Sequence, residues 1–304
     1  PNDSHYGYAM AALDAGMHGI CDKPMTTTLE EARKLHRAAA GSGKVFCLTH
    51  NYTGYPLVRQ ARALTAAGTL GDVRMVQVEY VQGGRALART PDATAPRRWK
   101  YDPARTGPSL VMGDIGTHAH NLLRYVTGLD VARVSARVGR VVPGQQVDDY
   151  ASALLELDNG APGVFLVTQA AAGKENGLRI RVCGARATLE WTHEEPNRLI
   201  VYPLDGPMQV YTPNGAGMLP LAARASRIAR GHPEGFPGAF ANLYADAADA
   251  IQARDAGMTP DPLSSTFPTS LDGLRGLEFV QAVLHSSQRS EEHTSELQSP
   301  NTLS

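Results

Sequence analysis

Residues 19–49 read as strand, helix, strand, and that order admits few folds. The run Gly19-Ile20-Cys21 is short and apolar, and it stops at Asp22-Lys23-Pro24, where proline cannot continue a hydrogen-bonded ladder. Thr28 with Glu31 three residues later is a capping box. Leu29, Ala32, Leu35 and Ala39 then line one face of a helix that ends near Gly41. Val45-Phe46-Cys47-Leu48-Thr49 is a second apolar strand. Open parallel sheets gather their ligands at the carboxyl ends of their strands. Lys23 and the segment His50-Asn51-Tyr52 both fall on that edge. The glycine run Gly41-Ser42-Gly43-Lys44 follows a helix and precedes a strand, the reverse of a phosphate-binding loop, and is read as a helix stop and turn.

A second stretch, Gly113-Asp114-Ile115-Gly116-Thr117-His118-Ala119-His120-Asn121, opens another helix. Ile115, Leu122, Leu123 and Val126 are spaced for its apolar face, and Gly128 stands at its stop. Asp114 and His118, four apart, project from one face. A carboxylate beside an imidazole can orient the ring and stabilise its charged form, which makes the pair a candidate general acid/base. The same residues also fit a helix cap and a packed core histidine.

Taken together, Asp22-Lys23-Pro24 and Asp114-x-x-x-His118 resemble the motifs of the glucose–fructose oxidoreductase / inositol dehydrogenase / MocA family of nicotinamide-dependent oxidoreductases. Trp99, Asp148-Asp149 and Gly231-His232-Pro233-Glu234-Gly235 extend the resemblance over nearly all of residues 1–287. In that family the first motif begins with Glu; here Asp22 shortens it. The resemblance implies an α/β plus α+β fold: a C-terminal remnant of a Rossmann dinucleotide-binding domain, followed by a mainly antiparallel open-sheet domain with helices on one face. It implies NAD or NADP as cofactor, touched by Pro1, Asn2, Asp22, Lys23, Pro24 and Asn51. The implied substrate is a sugar, polyol or related hydroxyl compound, met by Trp99 and Lys100. Lysine at 100 in place of the family's arginine gives up a bidentate fork. In the implied chemistry His118 takes the hydroxyl proton, Asp114 sets the ring's orientation and charge, and Lys23 stabilises the developing alkoxide. The family further implies a homo-oligomer, dimer or tetramer, formed through the open sheet.

Two other readings compete. One is a non-catalytic ligand-sensing protein on the same fold. The other is a metal-dependent hydrolase or isomerase using Asp114, His118 and His120. Residues two apart on a helix face different ways, so a metal shared by His118 and His120 is not expected; His120 would at most touch substrate from the rim. The acidic pair Asp148-Asp149 is read as a solvated turn.

Elsewhere Tyr6, Ala9, Met10 and Leu13 mark a first helix stopping at Gly16, and a helix over 55–67 leads to Gly68. Val76, Val78 and Tyr80 alternate with polar residues as in a half-buried strand. Residues 83–108 read as a long loop. Tyr150–Leu157 and Gly163–Thr168 are expected to form a hairpin closed by a primed turn at Asp158-Asn159-Gly160. Leu178–Val182 and Ala187–Trp191 make a second hairpin, 199–202 and 208–211 extend the sheet, and helices cover 239–253 and 270–284. Residues 1–51 are assigned to the nucleotide domain and 52–288 to a substrate and assembly domain. Residues 289–304 lack periodicity and are set aside as an artefactual tail. The family's glycine fingerprint would precede Pro1, so the chain is expected to be an N-terminally truncated piece, by itself not a competent dehydrogenase, with bare apolar faces beside Gly19–Asp22. The net charge of -1 carries no footprint for nucleic acid or an anionic membrane. The three scattered cysteines, Cys21, Cys47 and Cys183, fit a reducing, cytoplasmic setting.

Overall fold

The computed structural model describes residues 1–87 and 99–291. Helix α1 (Asn2–Asp14), strand β1 (Gly19–Cys21), helix α2 (Leu29–Gly41) and strand β2 (Phe46–Leu48) form the first layer. β1 and β2 are parallel, with Gly19 opposite Phe46 and Cys21 opposite Leu48. The capping box is present: Thr28 Oγ1 accepts from the Glu31 amide and the Glu31 carboxylate accepts from that of Thr28. Both faces of this small sheet are covered by helices from far along the chain. Helix α3 (Pro56–Ala66), strand β3 (Val73–Val81) and the short helix α4 (Pro103–Thr106) come between. A π-helical turn (Met112–Gly116) runs into helix α5 (Thr117–Thr127).

Strands β4 (Val131–Gly139), β5 (Tyr150–Leu157), β6 (Pro162–Thr168), β7 (Gly177–Gly184), β8 (Ala187–Thr192), β9 (Leu199–Pro203) and β10 (Gln209–Tyr211) join β3 in an eight-stranded sheet. Its order is β10-β9-β8-β7-β3-β6-β5-β4. All neighbours are antiparallel except β3 and β6, because β3 inserts between the two hairpins alongside β6. The β5–β6 turn differs from the expected primed one. Of Asp158, Asn159 and Gly160 only Gly160 takes a positive φ, +82°, whereas a two-residue primed turn of the Asn-Gly kind needs two such residues. Asn159 instead accepts from the Ala161 amide and donates to the Val73 carbonyl, tying the turn to the start of β3.

Helices α6 (Pro220–Ala225), α7 (Phe236–Asp255) and α8 (Ser270–Glu291) follow. Alternation sends Val76, Val78, Phe165, Ile180, Leu189 and Trp191 to one face of the large sheet, where they pack with Leu57, Leu122, Leu123, Val280 and Val283 of α3, α5 and α8. The opposite face carries Arg179 and Arg181 paired with Glu190, at 2.8 and 2.6 Å. Leu154, 66% exposed, and Val164, 41% exposed, stand beside them, and no helix among the described residues covers them.

Helix α8 also turns back to the first layer, where Leu277 packs with Leu35, Phe46, Leu48 and Met25. On the other side Leu243, Ala247 and Ala250 of α7 cover Val45 and Cys47. The apolar faces beside Gly19–Asp22 are therefore mostly clothed, contrary to expectation, and of the apolar side chains in that stretch Ile20 is the one widely exposed, at 46%. The reason lies in two close approaches. A Cβ on Gly273 of α8 would lie 2.6 Å from Met25 Sδ, and one on Gly54 would lie 2.1 Å from the Ala239 carbonyl of α7. Without side chains there, both helices seat directly on the segments that follow β1 and β2. Part of the expected loop over 83–108, including Arg97 and Arg98, falls outside the described residues. So does all of the tail beyond Glu291, which ends α8.

Candidate active site

Lys23 stands where β1 ends, joined to Pro24 by a cis peptide bond. Asp22 ties the two strand ends together: its Oδ1 accepts from the Lys23 amide at 2.8 Å and from Thr49 Oγ1 at 2.7 Å. The Lys23 ammonium reaches across to the π turn and donates to the Asp114 carbonyl at 2.6 Å and to its Oδ1 at 3.3 Å. A π turn adds one residue to the helical repeat, and such insertions recur at functional sites because they re-aim a side chain. Here Asp114 projects toward Lys23. Its other oxygen accepts from Gln169 Nε2 at 2.9 Å and lies 3.5 Å from Lys100 Nζ. Burial alone would raise the carboxyl's pKa. The charges of Lys23 and Lys100, with the Gln169 and Lys23 hydrogen bonds, outweigh it and hold Asp114 below the usual range.

His118 is buried one turn on, at 7% exposure. Its Nδ1 faces His50 Nδ1 at 3.4 Å, and the edge-on ring of Tyr52 packs 4.9 Å away, centroid to centroid. Burial first, then the positive charge of Lys23, keep His118 neutral, its pKa far below the ordinary 6.5. Among the described residues Asp114 makes no hydrogen bond to His118. The extra residue of the π turn and the pull of Lys23, Lys100 and Gln169 aim the carboxylate elsewhere, so the expected Asp114–His118 contact is replaced by His50–His118.

Beside them runs a web of hydroxyls and amides. The Tyr52 and Tyr80 hydroxyls share a short hydrogen bond, and Tyr80 donates to Asn176 Oδ1 at 2.6 Å. Gln82 Nε2 donates to the same oxygen at 2.7 Å, and Asn176 Nδ2 meets His193 Nδ1 at 2.9 Å. Lys23, Asp114, His118, Gln169 and Asn176 all line one open cavity of about 610 Å³, with Phe236 and Phe240 of α7 as its apolar side. Two wall residues carry buried polar atoms without a partner among the described residues, the donor Asn51 Nδ2 and the acceptor Gln169 Oε1. A buried unpaired donor and acceptor on one cavity wall fit a ligand that presents both a carbonyl and a hydroxyl.

Of the residues singled out from sequence, Asp22, Lys23, Asn51, Lys100, Asp114 and His118 line this cavity. His120 does not. It points to the far side of α5, stacked on Phe279 with centroids 4.4 Å apart, which also removes it from any cluster with Asp114 and His118. Trp99 is half-buried next to Lys100, whose ammonium lies 5.8 Å from its ring centroid, and does not line the cavity. Nor do Pro1, Asn2 and Pro24: Asn2 donates to the Thr106 carbonyl, and the Pro24 carbonyl meets His5 Nδ1. The pair Asp148-Asp149 is not a solvated turn. Asp148 accepts from Ser109 Oγ and the Leu110 amide and so anchors the turn leading to Asp114, while burial raises its pKa. Asp149, fully buried, accepts from the amides of Val141 and Val142. Gln169, Asn176, Gln82 and Tyr80 went unnoticed in the sequence as site residues. They reach the cavity from β3 and from the segment between β6 and β7, a juxtaposition made by sheet pairing, which leaves no local motif.

The sequence profile of the oxidoreductase family with an NAD-binding Rossmann fold (GFO/IDH/MocA) matches residues 1–50. That of the GFO/IDH/MocA C-terminal domain matches residues 58–190. The uncharacterized oxidoreductase YfiI of Bacillus subtilis is 30% identical over 299 residues, covering 95% of this chain and 74% of that protein. This chain belongs to the GFO/IDH/MocA family. Solved structures agree. An oxidoreductase from Sinorhizobium meliloti is 43% identical with a TM-score of 0.84, over 95% of this chain and 76% of the other. An inositol dehydrogenase homolog from Azotobacter vinelandii, in complex with NADH and myo-inositol, is 34% identical with a TM-score of 0.83, over 95% and 74%. The GFO/IDH/MocA assignment accounts for both layers: a Rossmann-like portion carrying Lys23 and an antiparallel-sheet domain carrying Asp114 and His118.

Proposed function

We propose that this site oxidises a hydroxyl of a sugar, polyol or related compound, or reduces the matching carbonyl, with NAD or NADP. The observation that carries the reading is the convergence on one cavity of Lys23, from the end of β1, with Asp114 and His118, from the π turn and α5. The nicotinamide, when bound, supplies the hydride chemistry. His118, kept neutral by burial, takes the proton of the reacting hydroxyl through its open Nε2. Lys23 holds positive charge where negative charge develops on that oxygen, and Asp114 fixes the ammonium's position rather than the imidazole's. Asn51 and Gln169 offer their unpaired donor and acceptor to the bound molecules, with Lys23 and Asp22 on the cofactor side. The apolar side at Phe236 and Phe240 suits the C–H face of a sugar ring. The relative solved with NADH and myo-inositol supports the substrate class.

The test is titration of the protein with NAD and NADP by calorimetry, then turnover over a panel of polyols and sugars. Absence of both cofactor binding and turnover overturns the reading. We further propose that the uncovered sheet face, with Leu154 and Val164 around the Arg179–Glu190–Arg181 cluster, pairs copies of the chain into a dimer or tetramer. Among the described residues no helix is long and apolar enough to cross a membrane.

A further inference from the structure

We infer that His50 is a positioning residue that fixes the tautomer of His118, holding the proton on His118 Nδ1 and leaving Nε2 bare toward the cavity. The inference rests on the acid/base role given to His118 above and adds the group that makes that role possible.

The geometry allows few alternatives. The two Nδ1 atoms lie 3.4 Å apart and the rings meet edge to face, at 80°, with centroids 5.2 Å apart. Both residues are buried, at 2% and 7% exposure. Burial keeps both rings neutral, and for His50 it pulls the pKa down to about 3. A hydrogen bond between two neutral imidazoles needs one Nδ1–H and one bare Nδ1, since two donors or two acceptors would repel. If His50 donates, His118 carries its own proton on Nε2 and cannot accept another from the cavity. If His118 donates, Nε2 is bare. The Lys23 ammonium acts on His118 electrostatically and disfavours a second proton on its ring.

The second arrangement also survives the reaction. The substrate O–H bond breaks and an N–H bond forms at His118 Nε2, while the carbinol hydrogen leaves with its electron pair to the nicotinamide and the C=O bond forms. The charged ring then still donates Nδ1–H to the bare Nδ1 of His50, and that bond strengthens as the donor becomes cationic. Asp114, turned toward Lys23, Lys100 and Gln169, has no part in this. His50 is itself held by the turn after β2, where its carbonyl accepts from the Thr53 amide at 3.1 Å and from Thr53 Oγ1 at 2.9 Å.

The test reads the tautomer directly. Long-range proton–nitrogen spectra of the uniformly labelled protein should show His118 protonated at Nδ1 and bare at Nε2. His50→Phe should remove that preference and lower kcat at least about tenfold with KM changed less than about twofold. His50→Gln, whose amide oxygen can accept the same bond, should restore the tautomer and most of kcat. Should His50→Phe fail to fold, the wild-type spectrum and the Gln variant still decide. A wild-type His118 protonated at Nε2, or a tautomer and kcat unmoved in His50→Phe, overturns the inference. A fully active His118→Ala would instead bring down the acid/base role, whatever the tautomer.

Discussion

Asp114 meets opposing forces: desolvation favours its neutral form, while two ammonium groups and an amide donor favour the carboxylate, and the second set wins. Removing Lys23 removes the nearer cation, so Lys23→Ala should raise the Asp114 pKa, lower turnover by about two orders of magnitude, and weaken cofactor binding. His118→Ala should cost turnover on a similar scale with cofactor affinity nearly unchanged. Steady-state kinetics and calorimetry on the two variants check this, and near wild-type turnover in His118→Ala removes the base. The buried histidines have a second consequence. His50, His118 and His120 stay unprotonated in the fold, whereas in the unfolded chain each takes up a proton near 6.5. Below that pH the unfolded state binds more protons, so stability is full above about 6.5 and falls as pH drops, for His50 down to about 3. Each group adds a slope of about 1.4 kcal/mol per pH unit. His120→Phe, outside the cavity, should flatten the slope of urea-unfolding free energy against pH between 6 and 4 by about one group's share. An unchanged slope would mean that His120 charges within the fold.

Helices α7 and α8 decide where the loops that follow β1 and β2 sit. Gly273 lets α8 press on Met25, two residues beyond Lys23. In Gly273→Ala the added carbon gains about 1 kcal/mol of helix propensity but meets Met25 Cβ at 2.8 Å, a backbone-near atom that cannot swing away. Overpacking of this kind costs about 1–3 kcal/mol, and the cheapest relief shifts the Lys23 loop. The variant should therefore lose stability by urea titration and turnover together. Thr28→Ala, at the cap of α2, should cost about 1 kcal/mol of stability and leave kinetics alone, because the cap holds the helix end and its side chain bonds Glu31, which does not line the cavity. Equal kinetic loss in both variants would show that the two effects share a cause other than the loop.

In the large sheet one face is covered by α3, α5 and α8, and the other is uncovered by any helix among the described residues. Leu154 and Val164 on adjacent strands form an apolar patch beside charged residues already paired with each other, a surface suited to a twofold contact. Light scattering at micromolar concentration should give a dimer or tetramer, and Leu154→Arg should shift it toward monomer with the fold intact. A monomeric wild type contradicts the assembly.

Local chemistry alone settled several features. The Thr28–Glu31 box, the apolar runs around Cys21 and Cys47, and the spacing of Leu122, Leu123 and Val126 each depend on neighbours within a turn or two. So does the placement of Lys23 at a strand end, since proline stops a ladder wherever it falls. Only tertiary structure decided the rest. The π turn at Asp114 is one residue longer than the helical repeat read from the sequence, and it sends the carboxylate to Lys23 instead of His118. Asp148 and Asp149 look like a polar turn until the amides of Leu110, Val141 and Val142 close on them. Gln169 and Asn176 enter the cavity because β3 lies between β6 and β7, and His120 leaves it because Phe279 of α8 offers its ring a stacking partner. Those outcomes depend on groups tens of residues apart meeting in space, and hydrophobic periodicity carries the period of an element but not the identity of its neighbours.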